Sequence, residues 1–442
     1  MNYIPNLIFS FCFFSATYFF VRNVRKIYRN INLGVPINRF DNKKKRWLQM
    51  TKMAFGQSKM IDKPIVGLLH LIVYLGFIII NIELLEILTD GLLGTHRVFA
   101  PYLGGFYNFL IGSFEIFAFL VLISVIIFLV RRNVLNIRRF LNPEMKGWPK
   151  NDANIILYAE ILLMSLFLTM NAADYWLQLN YDNSMYINVG YFPISQFLVP
   201  LFDNFEISSV VFVERTAWWL HIIGIFVFLN YLYYSKHLHI LLAFPNTYFS
   251  NLNSLGKLSN LKSVTNEVKM MMDPNSDSFA QNSSNTDIDK FGASDVFDLN
   301  KIQLLNSYTC TECGRCTSEC PANITGKKLS PRKIMMDTRD RLEEVGINID
   351  NNNGNFKPDG NELLNNRITA EELWACTSCN ACVQACPLGI DPLSIIIDMR
   401  RYLVMEKSAA PSEINNMMNN IENNGAPWPF NQMDKLNWKN EL

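Results

Sequence analysis

Eight of the nine cysteines fall into two copies of one pattern. Cys310, Cys313, Cys316 and Cys320 with Pro321 spell C-x2-C-x2-C-x3-C-P, and Cys376, Cys379, Cys382 and Cys386 with Pro387 repeat it, every cysteine displaced by 66 residues. Three thiolates on a tight loop cap three corners of an iron–sulfur cubane. The fourth, beyond the longer gap and before proline, points away toward a neighbouring cluster. The spacing therefore assigns Cys310, Cys313, Cys316 and Cys386 to one [4Fe–4S] centre, and Cys376, Cys379, Cys382 and Cys320 to a second. Zinc usually takes two separated ligand pairs, whereas here four cysteines crowd into eleven residues, twice. Nine cysteines in 442 residues is also too sparse for a disulfide-stapled scaffold. Cys12, in an apolar run, reads as packing.

The repeat extends past the ligands. Ser330-Pro331 and Asp391-Pro392 each place a capping residue before proline at a first helical position, and LSIIIDMRRYLV then carries an apolar stripe. The two centres are expected between helices, as in an α-helical ferredoxin.

The second chemical signal is histidine. There are only five, His70, His96, His221, His237 and His239, all within or beside apolar runs. Imidazole in a bilayer is costly and so marks a functional site, and paired histidines on adjacent helices hold haem b. On the fifth span His221 and His239 are 18 residues apart, five turns of an α-helix, and share a face about 27 Å apart, with His237 on the opposite face. Depth makes His70 the partner of His239, or of His237 if the helix deviates there. That gives an inner haem and, with His221 and a second ligand such as His96, an outer one. Glu83 and Glu86, deep in apolar sequence, are candidates for quinone protonation.

These residues need a membrane frame. Crossing about 30 Å of hydrocarbon takes roughly 20 residues, and five runs qualify, at about Tyr3–Val21, Ile65–Leu88, Phe106–Val130, Ile155–Leu177 and Ala217–Tyr234. The first lacks a basic start and a cleavage site, and reads as a retained anchor. Arg22–Lys63 holds twelve Lys or Arg against two acids, whereas Asn180–Val213 holds no Lys or Arg. By the positive-inside rule the N-terminus is outside and everything after the fifth span is cytoplasmic, as in a bacterial-type inner membrane. Composition then divides the chain into a five-span domain (1–245), a polar, Asn- and Ser-rich linker (246–298), a two-cluster domain (299–406) and a polar tail (407–442). The expected class is all-α, a five-helix transmembrane bundle followed by a cytoplasmic α-helical ferredoxin-like domain. The linker composition further suggests a tether on which the cluster domain swings. A net charge of +1 argues against nucleic acid as a partner.

The spans with His70, His221 and His239 resemble the cytochrome b (gamma) subunit of respiratory nitrate reductase and the membrane subunit of methanogen heterodisulfide reductase, over residues 1–245. The gamma pattern has two histidines in the second span, where this chain has only His70 and carries Ile80. The paired motifs resemble the iron–sulfur half of the heterodisulfide reductase catalytic subunit. They are also similar to the iron–sulfur subunits of glycolate oxidase, anaerobic glycerol-3-phosphate dehydrogenase and succinate dehydrogenase. The segment Gly425–Trp438 is similar to a Gly-Asn-Pro-Trp segment of that group. The resemblance implies an electron-transfer subunit, not a catalytic one, working with membrane lipid, quinone and a separate cytoplasmic catalytic subunit that carries Cys-Cys-Gly repeats. The rival expectation is a haem-free, membrane-tethered ferredoxin acting as a redox binding or sensing module.

Overall fold

The computed structural model describes residues 3–135, 137–181, 186–272 and 290–440. Five helices, Ile4–Ile31, Pro64–Leu93, Gly105–Asn133, Trp148–Asn180 and Ile207–Tyr234, are long and apolar enough to cross a membrane. Helices suit that role because every backbone polar group is satisfied within the segment. Pro64 opens the second span and left-handed Gly94 closes it. The second and third spans approach closely at Gly76, where a Cβ would lie 2.5 Å from the Val121 side chain. The described residues contain no β-strand, and the fold is all-α.

The first span continues past Val21 to Ile31, carrying basic residues beyond the apolar stretch. The fifth departs from expectation. Its α-helix ends at Tyr231 and passes through the 3-10 turn Leu232–Tyr234 to Ser235, which is extended at φ −115° and ψ 144°. Helix His239–Tyr248 begins afresh after a second short turn, with Ser235 Oγ accepting from the His237 N–H at 3.1 Å. His221 and His239 therefore do not share one face of a continuous helix. The break at Ser235 resets the phase, and the separation reckoned along an unbroken helix does not apply.

The cysteine-bearing unit is built on helices Lys301–Thr309, Pro331–Asn351 and Pro392–Met405. Ser330 and Asp391 cap the two proline-led helices, accepting from Lys333 N and Ser394 N. Leu304, Ile334, Leu342, Val345, Ile395 and Met399 form its buried centre. Ile27, Leu232 and Leu238 from the ends of two spans join that same core.

The linker expected over 246–298 is shorter at both ends. Asn246 and Thr247 are buried, and Asn246 Nδ2 donates to the Leu388 carbonyl at 2.9 Å. Ala293 and Val296 are fully buried, and Ala293 N donates to the Asp398 carbonyl at 3.0 Å. The packed unit thus begins by residue 290. A helix at Lys262–Met272 lies between, and residues 273–289 lie outside the described residues. In the tail, helix Ser412–Asn424 buries no residue.

A swinging tether does not describe this arrangement, because the cysteine unit is docked on one end of the bundle. Asn30 Nδ2 donates to Tyr308 Oη at 2.9 Å, Lys26 pairs with Asp350 at 2.7 Å, and Val35 N donates to the Leu299 carbonyl at 2.9 Å. From the loop between the third and fourth spans, Glu144 pairs with the fully buried Arg332 at 2.7 Å. All these contacts come from the bundle end that carries the basic loops. Backbone packing is tight at Gly346, where a Cβ would sit 2.5 Å from Asn30 Nδ2. Gly346→Val should therefore overpack this junction and destabilise the docked unit by about 1–3 kcal/mol, read as a lower unfolding midpoint in detergent. An unchanged midpoint would mean that the junction has room to spare.

Candidate functional site

The two cysteine loops share a backbone as well as a spacing. Glu312 and Gly314 lie in the left-handed region at φ 54° and 74°, and Ser378 and Asn380 occupy the same two positions of the second loop at φ 56° and 62°. Two left-handed residues curl each loop so that its first three thiols face a common point. Such conformations are costly for Glu and Ser, and persist where surrounding contacts hold them. For Glu312 those contacts are visible. Its carboxylate accepts from Arg339 Nη1 at 2.7 Å and pairs with Lys236 Nζ.

The fourth cysteine of each motif crosses over. Cys310, Cys313, Cys316 and Cys386 line one recess. Cys320, from the first motif, lies within electrostatic reach of Cys376 and Cys382 of the second. Cys382 also borders the first recess, so the two sets adjoin. Among the described residues no three Cys, His, Asp or Glu side chains close in on a single ion. The thiols instead ring a space, as a group of several atoms requires. Backbone donors reach the sulfurs as well, Ser378 N to Cys376 Sγ and Ile390 N to Cys386 Sγ, both at 3.4 Å. Burial pushes the Cys310 and Cys382 thiols up to about 12 and Cys386 to about 11. Free thiols here stay protonated at neutral pH, and a bound metal has to displace the protons. The donor set therefore fits two four-cysteine clusters.

The histidines separate into three places. His237 and His239 stand edge to face with ring centroids 5.7 Å apart, and His70 lies within electrostatic reach of both. His239 Nδ1 is 3.0 Å from the Lys236 carbonyl, which fixes its proton there and leaves Nε2 free. Burial lowers His239 and holds His237 at about 3, so both rings are neutral, the form that ligates metal. His70 Nδ1 is buried without a partner. His221 repeats the His239 pattern, its Nδ1 lying 3.0 Å from the Leu163 carbonyl. A ring oriented through Nδ1 with Nε2 free is the usual posture of a metal-binding histidine. His96 sits toward the opposite end of the bundle and is committed to Asp174 at 3.2 Å and to the ring of Tyr186.

Sequence reasoning missed two networks. One joins the histidine stretch to the first cysteine loop. Lys236, which pairs with Glu312, donates its backbone N–H to Asp152 at 3.1 Å and its Nζ to the Pro149 carbonyl at 2.7 Å. The only sequence signal was a left-handed position inside C-x2-C. The other lies at the far end, where buried Arg97 pairs with Asp174 at 2.7 Å and approaches Glu83 at 3.7 Å, while Tyr107 donates to Glu86 at 2.8 Å. Glu83 and Glu86 thus belong to a charge network that the lone base Arg97 organises. Acids deep in apolar spans facing a single loop arginine were the signal available.

Comparison with known proteins places this geometry. Residues 309–390 match the family described as a 4Fe-4S dicluster domain. The chain is similar to the probable iron-sulfur-binding oxidoreductase FadF of Bacillus subtilis (strain 168), with 28% identity covering 96% of this chain and 59% of the relative. It is also similar to the EtfAB:quinone oxidoreductase of Syntrophomonas wolfei, with 26% identity over 92% of this chain and 55% of that one. A third relative is one subunit of the ferredoxin/F(420)H(2)-dependent CoB-CoM heterodisulfide reductase of Methanosarcina acetivorans, 29% identical over 26% of this chain and 58% of that polypeptide. The chain spans somewhat over half the length of the first two relatives. No solved structure matches it. The matches support an iron–sulfur electron-transfer role.

The Lys236–Glu312 pair gives a direct test of how the two parts hold together. Lys236→Ala leaves Glu312 paired only with Arg339, and should cost about 1–3 kcal/mol of stability; Lys236→Arg should restore most of it. Burial raises the Glu312 carboxyl, but the Lys236 and Arg339 charges outweigh burial and hold it below its ordinary value of 4.5. Its contribution is then present above pH 4.5 and lost as pH falls through the lower folded value. A pH series of unfolding midpoints should show that loss in the parent protein and a weaker one in Glu312→Gln.

Proposed function

We propose that this chain is a membrane-anchored electron-transfer component of a quinone-linked oxidoreductase, linking quinone, haem b and two [4Fe–4S] clusters to a separate catalytic partner. One observation carries the reading. Docking sets the His70, His237 and His239 group against the first cysteine recess, where Arg315, which borders the recess, comes within electrostatic reach of His70. Cys310, Cys313, Cys316 and Cys386 would hold one cluster, and Cys376, Cys379, Cys382 and Cys320 the other. His70 with His239, or with His237, would hold an inner haem b, whereas His96, committed to Asp174 and Tyr186 in a separate place, is not brought to His221 as the second ligand of an outer one. These centres supply one-electron couples when bound.

What the chain itself does is bind and orient. The Lys236 and Leu163 carbonyls hold the His239 and His221 rings through Nδ1, and the left-handed loop residues aim the thiols. The basic loops put the docked unit on the cytoplasmic side of a bacterial-type inner membrane, with the N-terminus outside. The relative named for its quinone reaction supports quinone as the membrane partner, and the relative that is one subunit of a heterodisulfide reductase supports a separate catalytic subunit.

Purified protein should contain about eight iron and eight acid-labile sulfide per chain, and dithionite should bring up b-type absorption bands. His70→Ala and His239→Ala should each lose the inner-haem bands while keeping iron and sulfide. Full iron and sulfide with no b-type bands would instead favour the haem-free, membrane-tethered ferredoxin.

A further inference from the structure

The two cysteine sets are symmetric in sequence but not in surroundings. The recess of Cys310, Cys313, Cys316 and Cys386 is walled by the bundle's loops. Lys59 Nζ donates to the Cys386 carbonyl at 3.2 Å, and Arg315 Nη1 donates to the Lys59 carbonyl at 2.9 Å. Arg139, from the loop after the third span, lies within electrostatic reach of Cys313, and the Met53 methyl would lie 3.3 Å from a Cβ at Gly389. Cys310 is buried, and Cys313, Cys316 and Cys386 are at most half-buried beside it.

The second set is enclosed by its own unit. Arg400 Nε donates to the Leu373 carbonyl at 3.0 Å, and the guanidinium lies 5.0 Å over the Trp374 ring, tying the loop after Trp374 to helix Pro392–Met405. Cys379 is exposed, whereas the other eight cysteines are buried or half-buried, and Thr377 nearby is exposed with it.

We infer that the two sets stand in a fixed order, the Cys310 set facing the membrane and the Cys379 set facing water, where a soluble redox protein exchanges electrons. The inference rests on the reading that both sets hold [4Fe–4S] clusters. The bundle's loops stand between the first set and any soluble partner, whereas exposed Cys379 opens the second set to water. Each reduced cluster gives one electron, so the pair supplies the two electrons that, with two protons, convert one quinone to hydroquinone.

The test uses the full chain in lipid vesicles containing a long-chain quinone analogue confined to the bilayer. In dithionite-reduced protein, a water-soluble gadolinium chelate should speed the spin relaxation of one cluster signal and spare the other. Cys379→Ser should alter or abolish the sensitive signal, and Cys313→Ser the protected one. After removal of excess dithionite, quinone should reoxidise both clusters of the parent protein, but should leave the Cys379-set signal reduced in Cys313→Ser. Equal sensitivity of the two signals, the reverse assignment, or quinone reoxidation of the Cys379 set in Cys313→Ser would each overturn the order. Absence of any cluster signal in the reduced parent protein would instead overturn the underlying iron–sulfur reading.

Discussion

Four sulfurs drawn from two loops 66 residues apart must meet at one point, twice, and most of the cysteine-bearing unit follows from that requirement. A loop carrying three thiols within seven residues has to curl, which places Glu312, Gly314, Ser378 and Asn380 in the left-handed region. The crossing of Cys320 and Cys386 requires the loops to lie side by side. The helices that follow each motif supply this, Pro331–Asn351 and Pro392–Met405 packing together through Ile334, Leu342, Ile395 and Met399. Burial that raises the free thiols makes the empty loops poor at holding charge, so metal binding and final packing are coupled.

The same requirement reaches into the bundle. A buried recess needs walls on every side, and here the loops between spans provide several of them. Lys59 and Arg139 from those loops, and Lys236 just after the fifth span, contact or approach the cysteine loops directly. The Lys236–Glu312 pair is informative because it ties a left-handed ligand-loop residue to the segment that bears His237 and His239. Charge, backbone conformation and histidine placement meet at one junction. A buried pair of this kind is weak evidence for stability but good evidence that a particular registration between two parts is being specified.

Much of this was legible in the sequence because the signals are local. Cysteine spacing, the proline-led helix starts at Pro331 and Pro392 and five apolar runs each lie within about twenty residues of chain, where periodicity and ligand rules apply. What was not legible depends on pairs far apart in sequence or on small backbone choices. No spacing rule announces that Ser235 becomes extended and restarts the fifth span, because a single residue between two apolar turns decides it. Nothing local marks residues 290–298 as packed rather than tethered, since their partners lie on helices Pro331–Asn351 and Pro392–Met405, through Arg341 with Asp295 and the Asp398 carbonyl with Ala293. Arg97 looked like one base in a short loop until Asp174 and Glu83 were placed beside it. The docking of the cluster unit is the largest such case, built from pairs such as Lys26 with Asp350 and Asn30 with Tyr308.

Docking is also the claim on which the electron path depends, and it is open to direct chemistry. Asn30 and Gly346 are neighbours across the junction, and a Cβ at 346 would lie 3.0 Å from the Asn30 Cγ, the atom whose place a cysteine sulfur at 30 would take. In membranes carrying Asn30→Cys with Gly346→Cys, mild oxidation should join the end of the first span to helix Pro331–Asn351, seen as a single cross-linked peptide pair by mass spectrometry. Two free thiols at these positions under the same oxidation would contradict the docked arrangement and return the cluster domain to a tether.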